Sequence, residues 1–253
     1  MKLKKFISGI LRYAGYDLVS IRKMGVDPFR DMKHFLHGQD SPIILDVGAN
    51  SGQTAKRFRR VFPNSTIHSF EPSPSTYEKL KTRCAKFSNV KMWNCGVGAE
   101  NATLTFQEND HSDMSSFLAP SKSCWGQIIR QIEVPVISLD AFAREQDLNF
   151  IHLLKSDTQG YDLEVFKGAS QLMNDNRIGL IYFEFIFSDM YKGSPYFHEM
   201  FLHLSQKNFS LVTFYESNFQ QDLVSWTDVL FINRDYYQKR LNLLATPKKP
   251  SLS

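Results

Sequence analysis

Cysteine is scarce in this chain, and long apolar runs are absent. Cys84, Cys95 and Cys124 are the only cysteines in 253 residues, and no two of them form a C-x-x-C pair. An odd, scattered set of this kind argues against a disulfide framework or a zinc site and indicates reduced thiols, as in a cytoplasm. No apolar stretch reaches the ~18 residues that a membrane-spanning helix requires.

The chain also lacks a strong charge bias. Its 30 Lys and Arg residues nearly balance its 26 Asp and Glu residues, and the net charge is +4. A nucleic-acid-binding domain ordinarily carries a larger and more clustered excess of positive charge. We therefore expect no nucleic-acid partner.

Two phosphate-binding motifs are missing as well. Neither G-x-G-x-x-G nor G-x-x-x-x-G-K-[ST] occurs in the sequence. The first binds the pyrophosphate of a dinucleotide at a helix N-terminus, and the second cradles nucleotide phosphates. A ligand held through a pyrophosphate is therefore disfavoured.

An apolar run over residues 43–47 organises the rest of the chain. It includes Asp46 and leads into a turn that contains Gly48, Asn50 and Gly52, after which a helical pattern begins. Such a run predicts a buried parallel strand, and glycine allows a backbone to pass close to a ligand. A generic buried strand-to-helix turn is the alternative interpretation.

A second strand-like run, residues 66–70, ends at Glu71. An acid at this place in a strand–helix–strand unit is positioned for ribose hydroxyls. Without a pyrophosphate motif beside it, the turn suits S-adenosylmethionine, which has a ribose, a sulfonium cation and an amino-acid tail. Asp46 would hold the cationic tail directly or through water. After the third strand, Asn94 and Val97 would contact the adenine base.

Strand-like and helical segments alternate and predict an α/β fold with a doubly wound, mostly parallel sheet. We expect an antiparallel closing pair at the end, a hairpin from residues 102–107 and 132–139, and one helix over residues 162–173. The predicted sheet strands are 43–47, 66–70, 90–95, 151–157, 178–187, 209–215 and 228–233. The predicted division is an N-terminal helical extension (1–40), a main domain (41–244) and a disordered tail (245–253).

Five of these strands carry a polar side chain at or near the carboxyl end, and ligands bind outside the carboxyl ends of strands in such sheets. We therefore expect one catalytic cleft lined by Asp46, Glu71, Asn94, Asp157 and Glu184.

A polar, serine-rich loop over residues 108–123 is expected to cover this cleft. His111, Ser115 and Ser116 on the loop are candidate substrate contacts, although a loop histidine is commonly just solvated. His198 and His203 are five residues apart, a spacing that does not suit one helix face, so we predict no metal site.

Residues 2–14 have an amphipathic helical pattern. Leu3, Phe6, Ile7 and Ile10 share one face, and lysines lie mostly on the other. The helix either packs on its own domain or makes a weak peripheral contact with an anionic membrane surface.

The glycine turn and a later segment together resemble the FkbM-type methyltransferases. The run Asp46-Val47-Gly48-Ala49-Asn50-Ser51-Gly52 is similar to the opening motif of that family, and residues 138–140 and 154–169 are similar to its second conserved region. Residues 95–98 and the Ser115-Ser116 pair look like further family features. The resemblance implies a class I methyltransferase (Rossmann-like) fold, S-adenosylmethionine as methyl donor, and O-methylation of a hydroxyl on a sugar, a glycan or a natural product.

One departure from the family pattern concerns a candidate substrate contact. The family usually has Asp-x-Glu-Gly where this chain has Asp157-Thr158-Gln159-Gly160. Gln159 keeps the size of the usual side chain and loses its charge. If that acid contacts a metal or the substrate in relatives, the role of Gln159 is altered here.

Methyl transfer to an alcohol requires alignment of the reacting atoms and benefits from a general base. Asp157 is the first candidate and Glu184 the second, while capping the following helix is the alternative role for Asp157. A non-catalytic scaffold and an NAD-dependent oxidoreductase remain competing functions. The expected partner is a small-molecule or glycan acceptor in the cytoplasm, and the sequence predicts no oligomeric state.

Overall fold

The computed structural model describes residues 7, 11–16, 19–20 and 22–245. Its helices are α1 (Pro28–Phe35), α2 (Gln53–Val61), α3 (Pro74–Cys84), α4 (Leu139–Glu145), α5 (Asp162–Lys167), α6 (Ser170–Asn174), α7 (Phe197–Gln206) and α8 (Arg234–Ala245). Its strands are β1 (Ile43–Val47), β2 (Thr66–Phe70), β3 (Val90–Trp93), β4 (Gly96–Val97), β5 (Ala102–Asn109), β6 (Ile128–Ile137), β7 (Ile151–Ser156), β8 (Ile178–Ile186), β9 (Phe209–Gln220) and β10 (Leu223–Asn233).

Seven of the described strands form one sheet in the order β3-β2-β1-β7-β8-β10-β9. β1 pairs in parallel with β2 and β7, and β8 pairs in parallel with β7. β10 runs antiparallel to both of its neighbours. The predicted α/β fold is confirmed: a doubly wound, mostly parallel, Rossmann-like sheet with an antiparallel closing strand.

The central strands are apolar on both faces, as parallel strands covered by helices on both sides must be. Leu45 and Leu154 project into one buried cluster, and Ile44 and Leu153 project into the other. Successive side chains of a strand point to opposite faces, so each strand contributes to both clusters. Helix α1 packs Phe29 and Met32 into the second cluster, beside α2. The division of the chain at residue 40 stays a prediction.

The single helix predicted over residues 162–173 is wrong, because α5 ends before Gly168 and α6 begins at Ser170. The backbone at Gly168 passes very close to the backbone at Gly98, because a Cβ on Gly168 would lie 2.0 Å from the carbonyl oxygen of Gly98. Asp140 then accepts hydrogen bonds from the backbone of Gln171 (2.9 Å) and Leu172 (3.0 Å). These contacts begin a new helix instead of extending the old one.

The last two strands are longer than predicted. β9 continues beyond residue 215 to Gln220, and β10 begins at Leu223 instead of residue 228. The two strands meet at a tight turn through Gln221 and Asp222, both with positive φ. A two-residue turn of that kind matches the twist of paired strands. Their polar and aromatic residues obscured the strand pattern in the sequence.

Three other described strands form a small sheet in the order β4-β6-β5. β5 and β6 are antiparallel and correspond to the hairpin that the sequence predicts. β4, which begins three residues after the end of β3, pairs in parallel with β6. The small sheet thereby joins the serine-rich loop to the carboxyl end of the main sheet.

The predicted amphipathic helix at residues 2–14 lies largely outside the described residues, as do residues 246–253 of the predicted tail. Across the part of the chain that the structure describes, no helix combines the length and apolar character needed to span a bilayer.

His68 is a polar side chain that β2 places entirely inside the fold. Its ring stacks on Trp93, with centroids 6.1 Å apart, and meets the edge of Phe142. Neither ring nitrogen has a hydrogen-bond partner among the described residues. Burial, together with the charge of Lys91, lowers the pKa of His68 from 6.5 to about 4.

We expect His68 to make folding stability depend on pH. Because the unfolded chain binds this proton more readily, the stability is present above about pH 6.5 and is lost as the pH falls towards 4. His68→Leu should remove up to about 3 kcal/mol of that loss, as measured by urea unfolding between these pH values. The exposed His198→Leu is the matched control and should keep the wild-type dependence. Parallel curves for wild type and His68→Leu would contradict the assignment.

Candidate active site

A cavity of about 300 Å³ opens at the carboxyl ends of β1, β2, β7 and β8. Glu71, Asp157 and Glu184 line it, as the sequence predicts, although they come from three different strands. Asp46 and Asn94 are absent from its lining. The predicted convergence of strand-end acids therefore holds for three of the five residues.

The glycine turn after β1 borders this cavity through Gly48 and Asn50. A Cβ on Gly48, whose φ is 68°, would lie 1.9 Å from the carbonyl oxygen of Asp157. Gly52 lies away from the cavity, and a Cβ there would press on Leu80 at 2.8 Å. The two glycines are therefore required by the close approach of β7 and of α3, in addition to any ligand.

A buried ion pair ties β1 to β7. The ammonium of Lys155 lies 3.3 Å from Asp46 Oδ1 and 3.7 Å from Asp157 Oδ2. It also donates to the carbonyl oxygens of Val47 (3.1 Å) and Gly48 (2.8 Å). Burial acts to lower the pKa of Lys155, but the carboxylates of Asp46 and Asp157 outweigh it and hold that pKa above its ordinary value.

Asp46 is fully buried within this pair, and its other oxygen accepts a hydrogen bond from Ser69 at 3.2 Å. Its role in holding the cofactor tail stays a prediction. Sequence reasoning gave no role to Lys155. The available signal was a lysine inside an apolar strand, because such a buried charge requires an anionic partner.

Glu71 presents a buried carboxylate to the cavity. Its Oε1 accepts a hydrogen bond from the backbone of Ser73 at 2.9 Å, and no ion pair within the described residues holds it. Burial raises the pKa of Glu71 to about 7, against the opposing effect of backbone donors at Ser73 and Asn50. A buried carboxylate with free acceptor capacity fits the two hydroxyls of a ribose.

The residues predicted to contact the adenine base differ in position. Val97 lines the cavity, together with Cys95 and Gly96. Asn94 instead donates from Nδ2 to the carbonyl oxygens of Glu71 (2.9 Å) and Pro72 (3.1 Å). Asn94 therefore shapes the turn that carries Glu71.

Gln159 bridges the two candidate bases. Its Nε2 donates to Asp157 Oδ1 and to Glu184 Oε1, each at 3.0 Å. The hydroxyl of Tyr191 lies 2.9 Å from Gln159 Oε1, and Ser116 donates to the Gln159 carbonyl oxygen at 2.8 Å. These contacts hold Gln159 at a positive φ of 55°, a backbone region that costs energy outside glycine. The amide thus keeps two acidic side chains together that would otherwise repel each other.

The environment of Glu184 favours its protonated form. Burial, and next the negative charge of Asp157, raise the pKa of Glu184 well above its ordinary value. A carboxylate with a raised pKa accepts a proton more readily near neutral pH, which a general base requires.

The serine-rich loop does lie over the cavity. Ser115 lines it, and Ser112 lies 3.3 Å from the amide of Asn50 on the opposite side. Ser116 is buried and holds the Gln159 backbone, so its position is structural. His111 is exposed and lies outside the cavity lining. A substrate contact by His111 stays a prediction.

Aromatic residues that sequence reasoning missed form the rest of the wall. Trp125 and Trp226 meet edge to face, with ring centroids 5.3 Å apart, and Phe106 and Phe117 pack nearby. Trp226 belongs to the part of β10 that the sequence did not predict. Within the described residues, no three His, Cys, Asp or Glu side chains gather into a group that could hold a metal ion.

Comparisons with known proteins agree with this geometry. The family model described as "Methyltransferase FkbM domain" matches residues 46–211, more than half of the chain. The chain is 24% identical to "2-O-methyltransferase NoeI" of Sinorhizobium fredii in an alignment of 163 positions that covers 60% of this chain and 66% of that protein. It is 28% identical to "Methyltransferase sdnD" of Sordaria araneosa over 159 residues, covering 52% of this chain and 61% of that protein.

The matches thus span somewhat less than two thirds of the length of these relatives. Among solved structures, the fibrillarin pre-rRNA processing protein of Methanococcus jannaschii is 14% identical with a TM-score of 0.49, covering 84% of this chain and 71% of that one.

We expect Glu71 to make cofactor affinity depend on pH. Its ionised carboxylate can accept from both ribose hydroxyls, so affinity for S-adenosylhomocysteine should rise as the pH passes through about 7. Glu71→Gln should weaken binding about tenfold or more and abolish this dependence, as measured by calorimetric titration. The exposed Glu78→Gln on α3 is the matched control. Equal affinity in wild type and Glu71→Gln would exclude the ribose contact.

The position of the Gln159 amide between two acids lets us predict the effect of a carboxylate at residue 159. Gln159→Glu would place three carboxylates where an amide now separates two, and such oxygen-rich groups suit Mn²⁺. We expect this variant to bind Mn²⁺ in a calorimetric titration, with Gln159→Ala binding far more weakly. Equally tight Mn²⁺ binding by wild type, or none by Gln159→Glu, would contradict the placement of side chain 159 between the two acids.

Proposed function

Because the chain belongs to the family of FkbM methyltransferase domains and its cofactor is S-adenosylmethionine, we propose that it methylates a hydroxyl of a sugar, a glycan or a glycosylated natural product. The observation that carries this proposal is the pair of bridged acids, Asp157 and Glu184, in the wall of the cavity that Glu71 also lines. Such a pair suits an acceptor that must lose a proton as it is methylated.

Different residues of the cavity would contact different parts of the cofactor. S-adenosylmethionine, when bound, supplies an electrophilic methyl group. Glu71 would accept hydrogen bonds from the ribose hydroxyls, and Val97 would contact the base. Gly48 and Asn50 border the remaining part of the cavity. The aromatic wall keeps water away from the reacting atoms, which strengthens each electrostatic contact inside.

Glu184 is the proton acceptor in this proposal. The acceptor hydroxyl would donate its proton to the Glu184 carboxylate. Bound S-adenosylmethionine would supply the methyl group for the new C–O bond, and breaking of its methyl C–S bond would release neutral S-adenosylhomocysteine. Asp157 lies beside the Lys155 ammonium and shares the Gln159 amide with Glu184. Asp157 therefore orients the amide and the acceptor hydroxyl, with proximity supplying much of the rate.

The name of the relative NoeI, a 2-O-methyltransferase, supports an oxygen acceptor. A non-catalytic scaffold would have no need of two bridged acids in a cavity, and an oxidoreductase would use a pyrophosphate motif that the sequence lacks. We also propose that the protein works in the cytoplasm without nucleic acid, and that residues 2–14 make a weak contact with a membrane surface.

We expect Asp157→Asn and Glu184→Gln to lower turnover by ~10²-fold or more each, because each removes a carboxylate from the acceptor site. Affinity for S-adenosylhomocysteine should stay within about twofold of wild type, since Glu71 is untouched. The measurement is transfer of a labelled methyl group from S-adenosylmethionine to a panel of sugars, with the new O-methyl group identified by NMR.

The exposed acid Glu199, on α7 and away from the cavity, provides the control Glu199→Gln. Wild-type turnover in both active-site variants would exclude methyl transfer assisted by these two carboxylates. Failure of every hydroxyl compound as acceptor, with cofactor binding intact, would overturn the acceptor class.

A further inference from the structure

A second, larger depression lies beside the cavity. It has a volume of about 710 Å³, within the ~300–1,000 Å³ range typical of small-molecule sites. Its floor is the segment 187–189 after β8, and its walls are residues 122–125 and 220–225 at the end of the β9–β10 hairpin. We call it the outer groove.

The outer groove exists because the β9–β10 hairpin extends beyond the end of β8. Ile186, the last residue of β8, pairs with Trp226, so β10 from Leu223 to Ser225 extends beyond its neighbour. This overhang stands at the carboxyl edge of the sheet, the edge at which the cavity opens.

The walls and floor are held to one another. Ser123 donates its backbone N–H to the Asp189 carbonyl oxygen at 2.9 Å, and Phe187 donates to the Ser225 carbonyl oxygen at 2.7 Å. The hydroxyls of Ser188 and Ser225 lie 2.7 Å apart. The outer groove is therefore formed before any ligand arrives, which lowers the entropic cost of binding.

Trp125 connects the groove to the cavity, because it lines both. It is 47% exposed, and Phe187 on the floor is 47% exposed as well, while part of the Phe187 ring packs against Phe185 and Phe197, with centroids 4.8 Å and 6.2 Å away. The exposed parts of such aromatic side chains are suited to stacking on a ligand. A ligand leaving the cavity would pass directly over Trp125.

The lining of the groove fits a neutral, polyhydroxylated chain. Polar side chains accompany the aromatics, including Ser123, Gln220 and Gln221. The two charged side chains in the lining, Lys122 and Asp189, have opposite signs and balance each other. An acyl chain would leave these polar groups unpaired, and an anionic polymer would meet no net positive charge.

We propose that the outer groove binds the saccharide units next to the one being methylated, so that the preferred acceptor is an oligosaccharide and not a free sugar. The terminal unit enters the cavity, and the units beyond it cross Trp125 and stack on Phe187. This inference rests on the proposed methyltransferase function and specifies its acceptor.

The test compares acceptors of increasing length. S-adenosylhomocysteine-loaded protein is titrated with chito-, cello-, malto- and manno-oligosaccharides, from monosaccharide to hexasaccharide, and labelled methyl transfer to the same compounds is measured. We expect kcat/KM for at least one series to rise about tenfold or more between the monosaccharide and the trisaccharide. Phe187→Ala should reduce this ratio about tenfold.

Two further variants keep the test decisive. Phe219→Ala, on the same hairpin, 62% exposed and outside the groove, should retain the wild-type ratio. Ser123→Trp leaves the backbone hydrogen bond to Asp189 in place and fills the groove, so it should abolish the length preference even if Phe187→Ala folds poorly.

The outcomes separate the two proposals. Methyl transfer to sugars with no dependence on length, or an unchanged ratio in Ser123→Trp, overturns the groove and leaves the methyltransferase proposal standing. Transfer to no carbohydrate while S-adenosylhomocysteine still binds overturns the proposed acceptor class together with the groove. Preference for acyl-chain acceptors, or dimerisation that Ser123→Trp abolishes, also overturns the inference.

Discussion

The geometry of the site depends on the contacts made by the buried ammonium of Lys155. It joins Asp46 of β1 to Asp157 after β7 and also holds two backbone carbonyls at the glycine turn. A buried ion pair is retained only when its desolvation is compensated by several well-placed partners, and here the partners come from both central strands. The pair thus fixes how closely the two strand ends approach, and with that distance the shape of the cavity.

Around this fixed point, neutral contacts set the geometry of the acids. Gln159 is pinned from three sides and offers both of its amide hydrogens to carboxylates. Burial and the neighbouring charge of Asp157 raise the pKa of Glu184 well above its ordinary value, so its proton affinity follows from its position in the fold. A family member with a carboxylate at position 159 would have to solve the same repulsion in a different way.

Much of this arrangement was predictable from periodicity and strand ends. The apolar runs at 43–47 and 151–157 predicted strands of a mostly parallel sheet, and Glu71, Asp157 and Glu184 followed from the rule that strand ends converge. That these two strands are neighbours comes from the structure. Asn94 could not be distinguished from a ligand contact, because a side chain that bonds to backbone carbonyls looks the same in sequence. The beginning of β10, residues 223–227, was missed because a hairpin at a sheet edge needs no apolar alternation. Trp226 lies in this part of β10, and the groove depends on the overhang from Leu223 to Ser225.

The short segment 187–191 has a mechanical consequence. It carries the floor of the outer groove at Phe187, is bonded to the loop of Trp125, and ends at Tyr191, whose hydroxyl donates to the Gln159 amide. These five residues therefore connect the floor of the groove to the amide that bridges Asp157 and Glu184. Under the proposed function, a ligand that displaces the floor would also displace the proposed base, so that binding of a distant part of the acceptor and proton transfer would be mechanically coupled.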